Sequence, residues 1–404
     1  MKKSLLAIAA MTAFAGAAQA QSSVTVYGIL DVGYIGANEK VSGGRATLKQ
    51  TGNSFGQSAE STSRLGFKGT EDLGGGKSAF FTVEVGLTPN DQQAISSGTT
   101  SNRQTFAGLK SNGLGQAAFG TQYTNLHTQV AATDPGQANN MMGNVIYATG
   151  SVPSSSYASA YNGNTDAYTV RTGNTLTLKS DKFAGFEGNL NYTWNNSSTT
   201  EAQVAAPNQG RTGGSNNRSG VQLGVNYTWN KLYATANWQA FKADQSYTAT
   251  SAQVAAGGVG ASVGAPAVFG TAVQTGTNIK DNQGYVAATY DFGILKAYAQ
   301  WVTRKATSEI NGNAYVKRQA QQIGVRASLT PTIEGWASVG NGKWTAFGNS
   351  NVNQSFTGWQ AGANYLLSKR TNLYAIYGGS NTTSGGLNGS YNGQNYAVGV
   401  RHSF

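Results

Sequence analysis

The sequence contains no cysteine, only six prolines and two histidines among its 404 residues. A chain of this size without cysteine takes no support from disulfide bonds, so a packed core or closed backbone hydrogen bonding must stabilise it. Two histidines without cysteine form no cluster of the residue types that bind transition metals. These absences argue against a disulfide scaffold and a structural zinc site. We expect no cofactor and no bound metal.

Long apolar runs are also scarce, and the mean hydropathy is −0.34. A transmembrane helix needs about 20 consecutive apolar residues, whereas the apolar stretch at residues 5–15 is too short. Two lysines precede that stretch, and the small residues Ala18 and Ala20 follow it. This order is typical of a secretory signal peptide. We expect residues 1–20 to be removed and residues 21–404 to form one exported domain.

Charged residues make up only 11% of the chain, with 28 Lys and Arg against 17 Asp and Glu. Export and the lack of any basic cluster longer than two residues argue against a nucleic-acid partner. Glycine and tyrosine are abundant, at 54 and 20 residues. Together with many Asn, Ser and Thr residues, they favour numerous strands joined by polar loops. A hydrophobic content of 39% is low for a globular core but fits a barrel with a polar interior.

Apolar and polar residues alternate with a period of two in many parts of the chain, which is typical of strands with two different faces. Seven short turns and eight longer polar segments separate these runs. The pattern predicts an all-β fold, a sixteen-stranded antiparallel transmembrane barrel. Clear alternation occurs at residues 24–33, 64–68, 78–85, 221–229, 322–329 and 359–367. The longer segments are predicted near residues 37–60, 88–101, 123–167, 195–217, 244–282, 305–316, 344–355 and 381–393.

The chain ends in a strand with two distinct faces. One face is largely apolar or aromatic and the other is small or polar. Such a strand suits an outer-membrane barrel, with one face towards lipid, although a half-buried edge strand of a soluble sandwich is the alternative. With both termini on the side of the short turns, the last strand can pair with the first. The predicted assembly signal is the apolar face, Tyr396, Val398, Val400, His402 and Phe404.

Five segments resemble general trimeric porins of Gram-negative outer membranes, in the neisserial and related β-proteobacterial branch. The resemblance implies a homotrimer in the cell outer membrane, in contact with lipid and lipopolysaccharide, and a third long loop that folds into each barrel. Scattered acidic residues could bind divalent cations with lipopolysaccharide, but they define no site. The segments that carry the resemblance are residues 22–31 (SSVTVYGILD), 63–76 (SRLGFKGTEDLGGG), 102–109 (NRQTFAGL), 367–371 (LSKRT) and 398–404 (VGVRHSF).

The resemblance further implies that the third loop, roughly residues 123–161, narrows the barrel opposite basic residues of the wall. Matching motifs make Arg64, Arg103 and Arg171 the wall candidates. Alternation also places Arg64 and Arg171 inside, and the position of Arg103 on the face opposite Phe106 permits an inward side chain. The alternative is that each arginine is a charge at the rim of a loop.

Between residues 120 and 165 the only carboxylate is that of Asp134, where porins of this branch usually have more. One acid facing several arginines predicts a positive constriction that concentrates anions. The sequence Asp-Pro-Gly that begins at Asp134 is also a turn signal, so a purely structural role stays open. Further charges predicted to face the lumen are Asp31, Glu84, Arg218, Lys296, Arg304 and Arg326.

These features predict a passive diffusion channel for small hydrophilic solutes and ions that favours anions. A substrate-specific channel of the same fold is the first alternative, and a continuous aromatic track in the lumen would favour it. Tyr27, Tyr233, Tyr298 and Tyr374 could face inward, but they belong to separate strands. A barrel enzyme or an adhesin is the second alternative. Without a Ser/His/carboxylate motif, a phosphate-binding loop or a surface domain, we expect no enzyme activity.

Overall fold

The computed structural model describes residues 23–43, 46–91, 95, 102–148, 167–203, 211–245, 279–308, 315–347, 352–383 and 390–404. The predicted signal peptide lies outside these ranges. Across the described residues, the structure contains no helix with the length and apolar character needed to span a membrane.

The alternating segments form β-strands, and one short helix lies between the sixth and seventh strands. All strand pairs are antiparallel and belong to a single sheet. The elements are β1 Ser23–Gly43, β2 Ala46–Gln57, β3 Arg64–Gly74, β4 Lys77–Gly86, β5 Asn102–Ser111, β6 Gly115–Tyr123, α1 Asn125–Thr133, β7 Arg171–Ser180, β8 Phe186–Gln203, β9 Arg211–Trp229, β10 Leu232–Gln245, β11 Ile279–Asp291, β12 Lys296–Ser308, β13 Tyr315–Ser328, β14 Ile333–Phe347, β15 Val352–Leu366, β16 Thr371–Thr382 and β17 Ser390–Ser403.

The sheet closes into a barrel of sixteen strands, which confirms the predicted fold. β3 pairs with residues 23–29 of β1, while β2 pairs with residues 32–43 of the same strand. β2 and β3 therefore lie on the same side of β1 and pair with successive parts of its length. β2 is additional to the sixteen strands of the barrel. β17 pairs with both β16 and β1 and so completes the cycle. Closure removes the free edges that an open sheet would expose.

Most of the predicted loops overlap the ends of strands, and two of them are largely strand. Within residues 37–60, β1 continues to Gly43 and returns as β2; within residues 195–217, β8 extends to Gln203 and β9 begins at Arg211. The predictions that these segments are loops were wrong at those positions. Their Ser, Thr, Asn and Gly content suggested loops, but a strand that extends beyond the lipid has polar neighbours on both faces. Polarity therefore does not separate loop from strand there.

The two faces of the barrel differ in polarity. On β9, Leu223 is 48% exposed, while the preceding Gln222 is only 1% exposed. The same alternation of exposed apolar and buried polar residues recurs on β13, where Ile323 follows Gln322. An apolar outer face and a polar inner face are the arrangement expected of a barrel that lies in lipid.

The seam between the first and last strands includes the final residue. The backbone of Phe404 donates to and accepts from that of Gly28, with both N···O distances 3.1 Å. The ring of Phe404 lies over Gly28, where an added Cβ would come within 2.3 Å of the ring. Because Gly28 has no side chain, the terminal ring can pack directly on the backbone of the first strand.

Deleting Phe404 is expected to lower the yield of folded barrel strongly, because both seam hydrogen bonds and the ring contact are lost. The conservative change Phe404→Tyr keeps the backbone and the ring and should assemble normally. Heat-modifiable mobility on gels of outer-membrane fractions measures the folded fraction. Equal folded yields for the deletion and the wild type would contradict this role.

Candidate functional site

The connection from β6 to β7 contains the most extensive set of contacts with the inner wall. We call its described first part, residues 124–148, the β6–β7 segment. It begins with helix α1, whose N-cap Thr124 accepts a hydrogen bond from the backbone N–H of His127 at 3.2 Å. Satisfying a free N–H of the first turn in this way stabilises a short helix.

Long amide side chains on the wall bind the backbone of the β6–β7 segment. The Gln322 Oε1 accepts from Val145 N at 3.1 Å, and the Gln360 Nε2 donates to the carbonyl of Met141 at 2.7 Å. The Asn395 Oδ1 accepts from the backbone N–H of Met142 at 3.1 Å. These side chains belong to three different strands. They satisfy backbone groups of an irregular segment that would otherwise be buried without partners.

Apolar contacts and glycines complete this docking. Leu126, Val130 and Ile146 are at most 1% exposed, and they form one cluster with the wall residues Tyr285 and Val302. Glycines at Gly340, Gly358 and Gly378 on β14, β15 and β16 leave room for the segment. A Cβ at any of them would come within 2.0–2.3 Å of an atom of residues 142–145. The segment therefore packs against a part of the wall where three glycines leave the backbone uncovered.

The structure brings Arg64, Arg103 and Arg171 together around Tyr123 and Glu84. The Arg103 Nε lies 2.8 Å from the Glu84 Oε1, and the Arg64 Nη1 lies 3.9 Å from the same oxygen. Arg103 also donates to the Tyr123 hydroxyl. The guanidinium carbons of Arg103 and Arg171 lie 5.9 and 5.7 Å from the Tyr123 ring centroid. Two arginines pair with one carboxylate and a third lies beside them, so positive charge predominates in this group, which we call the arginine cluster.

Arg103 reaches the cluster through a β-bulge. Regular pairing places Glu84 opposite Gln104, but the next residue, Val85, pairs with Asn102 and skips Arg103. Before the bulge, the inward residue Thr82 pairs with Phe106, so simple alternation would send Arg103 outward. The extra residue reverses its direction. Alternation with Phe106 therefore gave a wrong reason for the position of Arg103, because Phe106 lies on the inner face together with Glu84.

His127 of α1 packs against this cluster. Its ring centroid lies 4.7 Å from that of Tyr123, and its Nδ1 lies 3.1 Å from the Tyr168 hydroxyl. Removal from water, followed by repulsion from Arg171, Arg103 and Arg64, lowers the pKa of His127 to about 3. The imidazole is therefore neutral at physiological pH and adds no charge to the group.

The β2–β3 linker, residues 58–63, connects the cluster to the β6–β7 segment. The buried Asp31 carboxylate accepts from the backbone N–H groups of Glu60 and Ser61 at 2.9 and 2.6 Å. The linker in turn accepts from the Arg64 Nε through the Thr62 carbonyl at 2.8 Å. Asn140 donates to the linker at Ser58 O and Thr62 Oγ1. Asp31 thus faces inward as a positioning group and not as an open lumen charge.

Asp134 lies within the fold of the β6–β7 segment. Its side chain is 2% exposed, and its carboxylate accepts from Ala138 N, Asn144 Nδ2 and Gln322 Nε2 at 2.8–3.0 Å. The expectation that Asp134 opposes the arginines as a lumen acid is therefore wrong. The alternative role as a turn residue describes it better, since Gln137 N donates to the Asp134 carbonyl. Burial raises the pKa of Asp134 to about 6, although its three donors act in the opposite direction.

Asp134 and His127 should give the docking of the β6–β7 segment two opposing pH dependences. Raising the Asp134 pKa from 3.8 to about 6 favours docking below pH 6, and this contribution is lost as the pH rises through 6. Lowering the His127 pKa from 6.5 to about 3 favours docking above pH 6.5, and this contribution is lost as the pH falls. Between pH 7.5 and 5, we expect Asp134→Asn to weaken docking on acidification and His127→Asn to strengthen it, by about 1–2 kcal/mol each.

Hydrogen exchange of amides in residues 124–148, corrected for the intrinsic pH dependence, measures this docking. The double variant is the matched control, because it should show neither dependence. Identical pH profiles for both single variants would contradict the assignment of the two opposing pH dependences to Asp134 and His127.

The remaining predicted charges lie elsewhere on the inner wall. Arg304 forms an ion pair with Asp281 at 2.6 Å, and Arg326 pairs with Glu334 and donates to the Pro135 carbonyl at 2.7 Å. The ammonium of Lys296 lies 5.2 Å from the Tyr298 ring centroid. The side chain of Arg218 lies outside the described part of the structure.

Two residues of the site, Arg318 and Tyr123, are not among those predicted from the sequence. Arg318 is 3% exposed and donates to the Val145 carbonyl at 2.7 Å, with its guanidinium 4.6 Å from the Phe356 ring centroid. Extending the alternation of β13 backwards from Gln322 would have placed Arg318 inside. Nothing in the local sequence marks Tyr123 as the centre of the arginine cluster, because its arginine partners come from β5 and β7.

Within the described ranges, no group of three or more His, Cys, Asp or Glu residues could hold a metal ion. The closed sheet, the apolar outside and the polar inside define an integral β-barrel of the Gram-negative outer membrane. The family profile of Gram-negative porins matches residues 7–386, and the chain belongs to that family. Membership confirms the expected class and the expectation that the chain is not an enzyme.

The chain is 35% identical to an outer membrane porin protein of Bordetella pertussis over 206 residues, 48% of either chain. It is 32% identical to outer membrane porin protein 32 of Delftia acidovorans over 200 residues, 49% of this chain and 51% of the relative. It thus spans about half the length of these curated relatives.

Among solved structures, the anion-selective porin from Comamonas acidovorans shares the fold with a TM-score of 0.66 and 20% identity, covering 95% of this chain and 100% of that one. The trimer form of OmpT from Vibrio cholerae gives a TM-score of 0.59 at 14% identity, covering 95% and 99%.

Proposed function

We propose that the protein is a water-filled diffusion channel for small hydrophilic solutes and ions across the outer membrane. The polar inner wall supports this proposal, because it provides hydrogen-bonding groups along a path through the bilayer. A barrel of sixteen strands is wide enough to leave an aqueous channel unless something fills it.

The β6–β7 segment is the part of the chain that would narrow this channel. Its contacts run from Asn125, which donates to Asn237 on β10, to Met142, which accepts from Gln360 on β15. A segment held by inward side chains of strands this far apart would occupy part of the lumen along this side of the wall. The passage would then lie between this segment and the arginine cluster on β3, β5 and β7.

The arginine cluster is the single observation that supports a preference for anions. Arg64 and Arg103 share Glu84, and Arg171 joins them through Tyr123. Asp134, the acid expected to oppose the cluster, is buried in its own turn, so its charge would not face the passage. Fixed positive charge in a narrow, low-dielectric passage raises the local concentration of anions.

We also propose a homotrimer, which the trimer form of a protein with the same fold supports. Planar-bilayer recordings test the channel and its selectivity together. In a KCl gradient, we expect stable single-channel conductance and a zero-current potential that favours chloride. A zero-current potential that favours potassium would refute the anion preference, and the absence of conductance from folded protein would refute the channel.

The exported form is expected to begin at Gln21, after removal of residues 1–20. Intact-mass spectrometry of the protein from outer-membrane fractions measures this directly. A mass that includes the first twenty residues would contradict it.

A further inference from the structure

Glu60 is the only acidic residue of the β2–β3 linker, and it is buried, with 8% exposure. Its Oε1 accepts from Asn364 Nδ2 at 2.7 Å, and its Oε2 accepts from Asn372 Nδ2 at 2.9 Å. The Arg401 Nε lies 3.5 Å from the same Oε2. A carboxylate taken out of water needs such donors and a nearby cation. These contacts therefore fix Glu60 at one place on the inner wall.

The partners of Glu60 lie across the barrel seam from the strands that the linker connects. β2 and β3 pair with one edge of β1, and β17 pairs with its other edge. Asn364, Asn372 and Arg401 belong to β15, β16 and β17. Arg401 also donates from its Nε to Asn372 Oδ1 at 3.1 Å, so two of the partners bind each other. Glu60 thus anchors the linker to the last three strands of the chain.

One connection leads from the anchored linker to the arginine cluster. The Arg64 Nε donates to the Thr62 carbonyl at 2.8 Å, and its Nη2 donates to the Ser61 Oγ at 3.3 Å. The ion pair of Arg64 with Glu84 is longer, at 3.9 Å. Contacts within hydrogen-bond distance direct a guanidinium group more strictly than a longer ion pair does. The linker therefore sets the direction of Arg64 more than Glu84 does.

A second connection leads from the linker to the β6–β7 segment. The backbone N–H of Asn140 donates to the Ala59 carbonyl at 3.0 Å. The Asn140 Nδ2 donates to the Ser58 carbonyl at 2.7 Å and to the Thr62 Oγ1 at 3.0 Å. Ala59 is 0% exposed and belongs to one buried cluster with Met141. One short linker thus contacts both sides of the proposed passage, so a change in its position would affect both.

We propose that Glu60 is a positioning residue of the channel: its anchor fixes the β2–β3 linker, which in turn holds Arg64 and Asn140 in place. The proposal rests on the proposed channel and its anion preference. The interaction of a fixed charge with a passing ion weakens with distance and with screening by water and salt. Arg64 held at the passage therefore favours anions more strongly than a mobile Arg64. If Glu60 acted only as one more negative charge, its effect on permeation would be independent of Arg64.

A double-mutant cycle in planar bilayers separates these two roles, because independent sites have additive effects and coupled residues do not. The proteins are the refolded full chain, E60A, R64S and E60A/R64S, each with the heat-modifiable mobility of a folded barrel. In wild type, R64S should lower the chloride-to-potassium permeability ratio. In the E60A background, the change in the logarithm of this ratio should be about half as large or smaller, because Arg64 is no longer held at the passage.

The matched control is E187A. Glu187 is also an inward carboxylate with an amide and a basic partner, Asn226 at 2.9 Å and Lys179 at 3.1 Å. These partners lie on β9 and β7, away from the last three strands that anchor the linker. R64S should therefore have the same effect in the E187A background as in wild type. Equal effects of R64S in E60A and in wild type would overturn the proposal, and so would an equally reduced effect in E187A.

Hydrogen exchange tests the anchor without reference to ion preference. In E60A, the amides of residues 140–142 should exchange about tenfold faster than in wild type, because local opening becomes easier. E187A should leave them unchanged. E60Q keeps the size of the side chain and one acceptor oxygen, so it should show a smaller acceleration and serves if E60A does not fold. Wild-type exchange in either folded variant would overturn the anchor. A wild-type channel without anion preference would refute the proposed function and not the anchor.

Discussion

Replacing Gly340 and Gly358 with valine is expected to raise the single-channel conductance about twofold or more, because the lumen of a sixteen-stranded porin is wide once its contents are displaced. A Cβ at Gly340 would lie 2.3 Å from the Val145 Cγ2, and one at Gly358 would lie 2.3 Å from the Gly143 carbonyl oxygen. Both contacts are far inside van der Waals distance, and one is with backbone. At Gly358 the three nearest atoms all belong to the β6–β7 segment, so the segment must leave this part of the wall. At Gly340 the added Cβ would also lie 2.6 Å from the Gln321 carbonyl oxygen of β13, so the strand must shift there as well.

The matched control is Gly335→Val, on the same strand as Gly340. A Cβ there would lie 3.3 Å from the end of the Leu329 side chain, which can move. Gly335→Val should keep wild-type conductance. The control and the double variant should both show the heat-modifiable mobility of the folded wild type. Wild-type conductance for the double variant, in a folded barrel, would mean that residues 143–145 do not limit the passage.

The barrel itself could be predicted from the sequence because strand geometry is local. A period of two assigns Leu223 to lipid and Gln222 to the inside without knowledge of any other strand. Turn signals such as that at residues 74–76, where three glycines have positive φ, mark the strand ends independently. Many weak local signals that agree are enough to fix a repetitive architecture.

The candidate site depends on contacts that no local pattern records. Asp134 looked like a lumen acid because it is the only carboxylate of its segment, yet Gln322, 188 residues away in sequence, helps to bury it. Arg103 reaches its place through a bulge that alternation cannot detect. Tyr123 gains its role only from partners on other strands. In each case the missing information is a contact with, or a register shift against, a part of the chain that is distant in sequence.

Replacing Arg64 and Arg171 with serine is expected to shift the zero-current potential towards cation permeation. Arg64 has a side chain 20% exposed, and the guanidinium carbon of Arg171 lies 5.7 Å from the Tyr123 ring centroid. Removing both leaves Arg103 paired with Glu84, so the local excess of positive charge disappears. Two unit charges about 4 Å apart interact by about 4 kcal/mol at an effective dielectric near 20, against about 1 kcal/mol in bulk water. In a tenfold KCl gradient the ideal limit is about 59 mV, and the expected shift is roughly a third of it.

The control K369S/R370S removes two exposed positive charges at the turn between β15 and β16. Exposed charges more than about 10 Å from a permeating ion are largely screened at 0.1 M salt, so this variant should differ from wild type only at low ionic strength. The cluster variant should differ from wild type at every salt concentration, and most at low salt. If R64S/R171S keeps wild-type selectivity throughout, the arginine cluster does not line the narrowest passage. Arg304, Arg318 and Arg326 on the opposite wall would then be the next charges to replace, because their guanidinium groups also face inward.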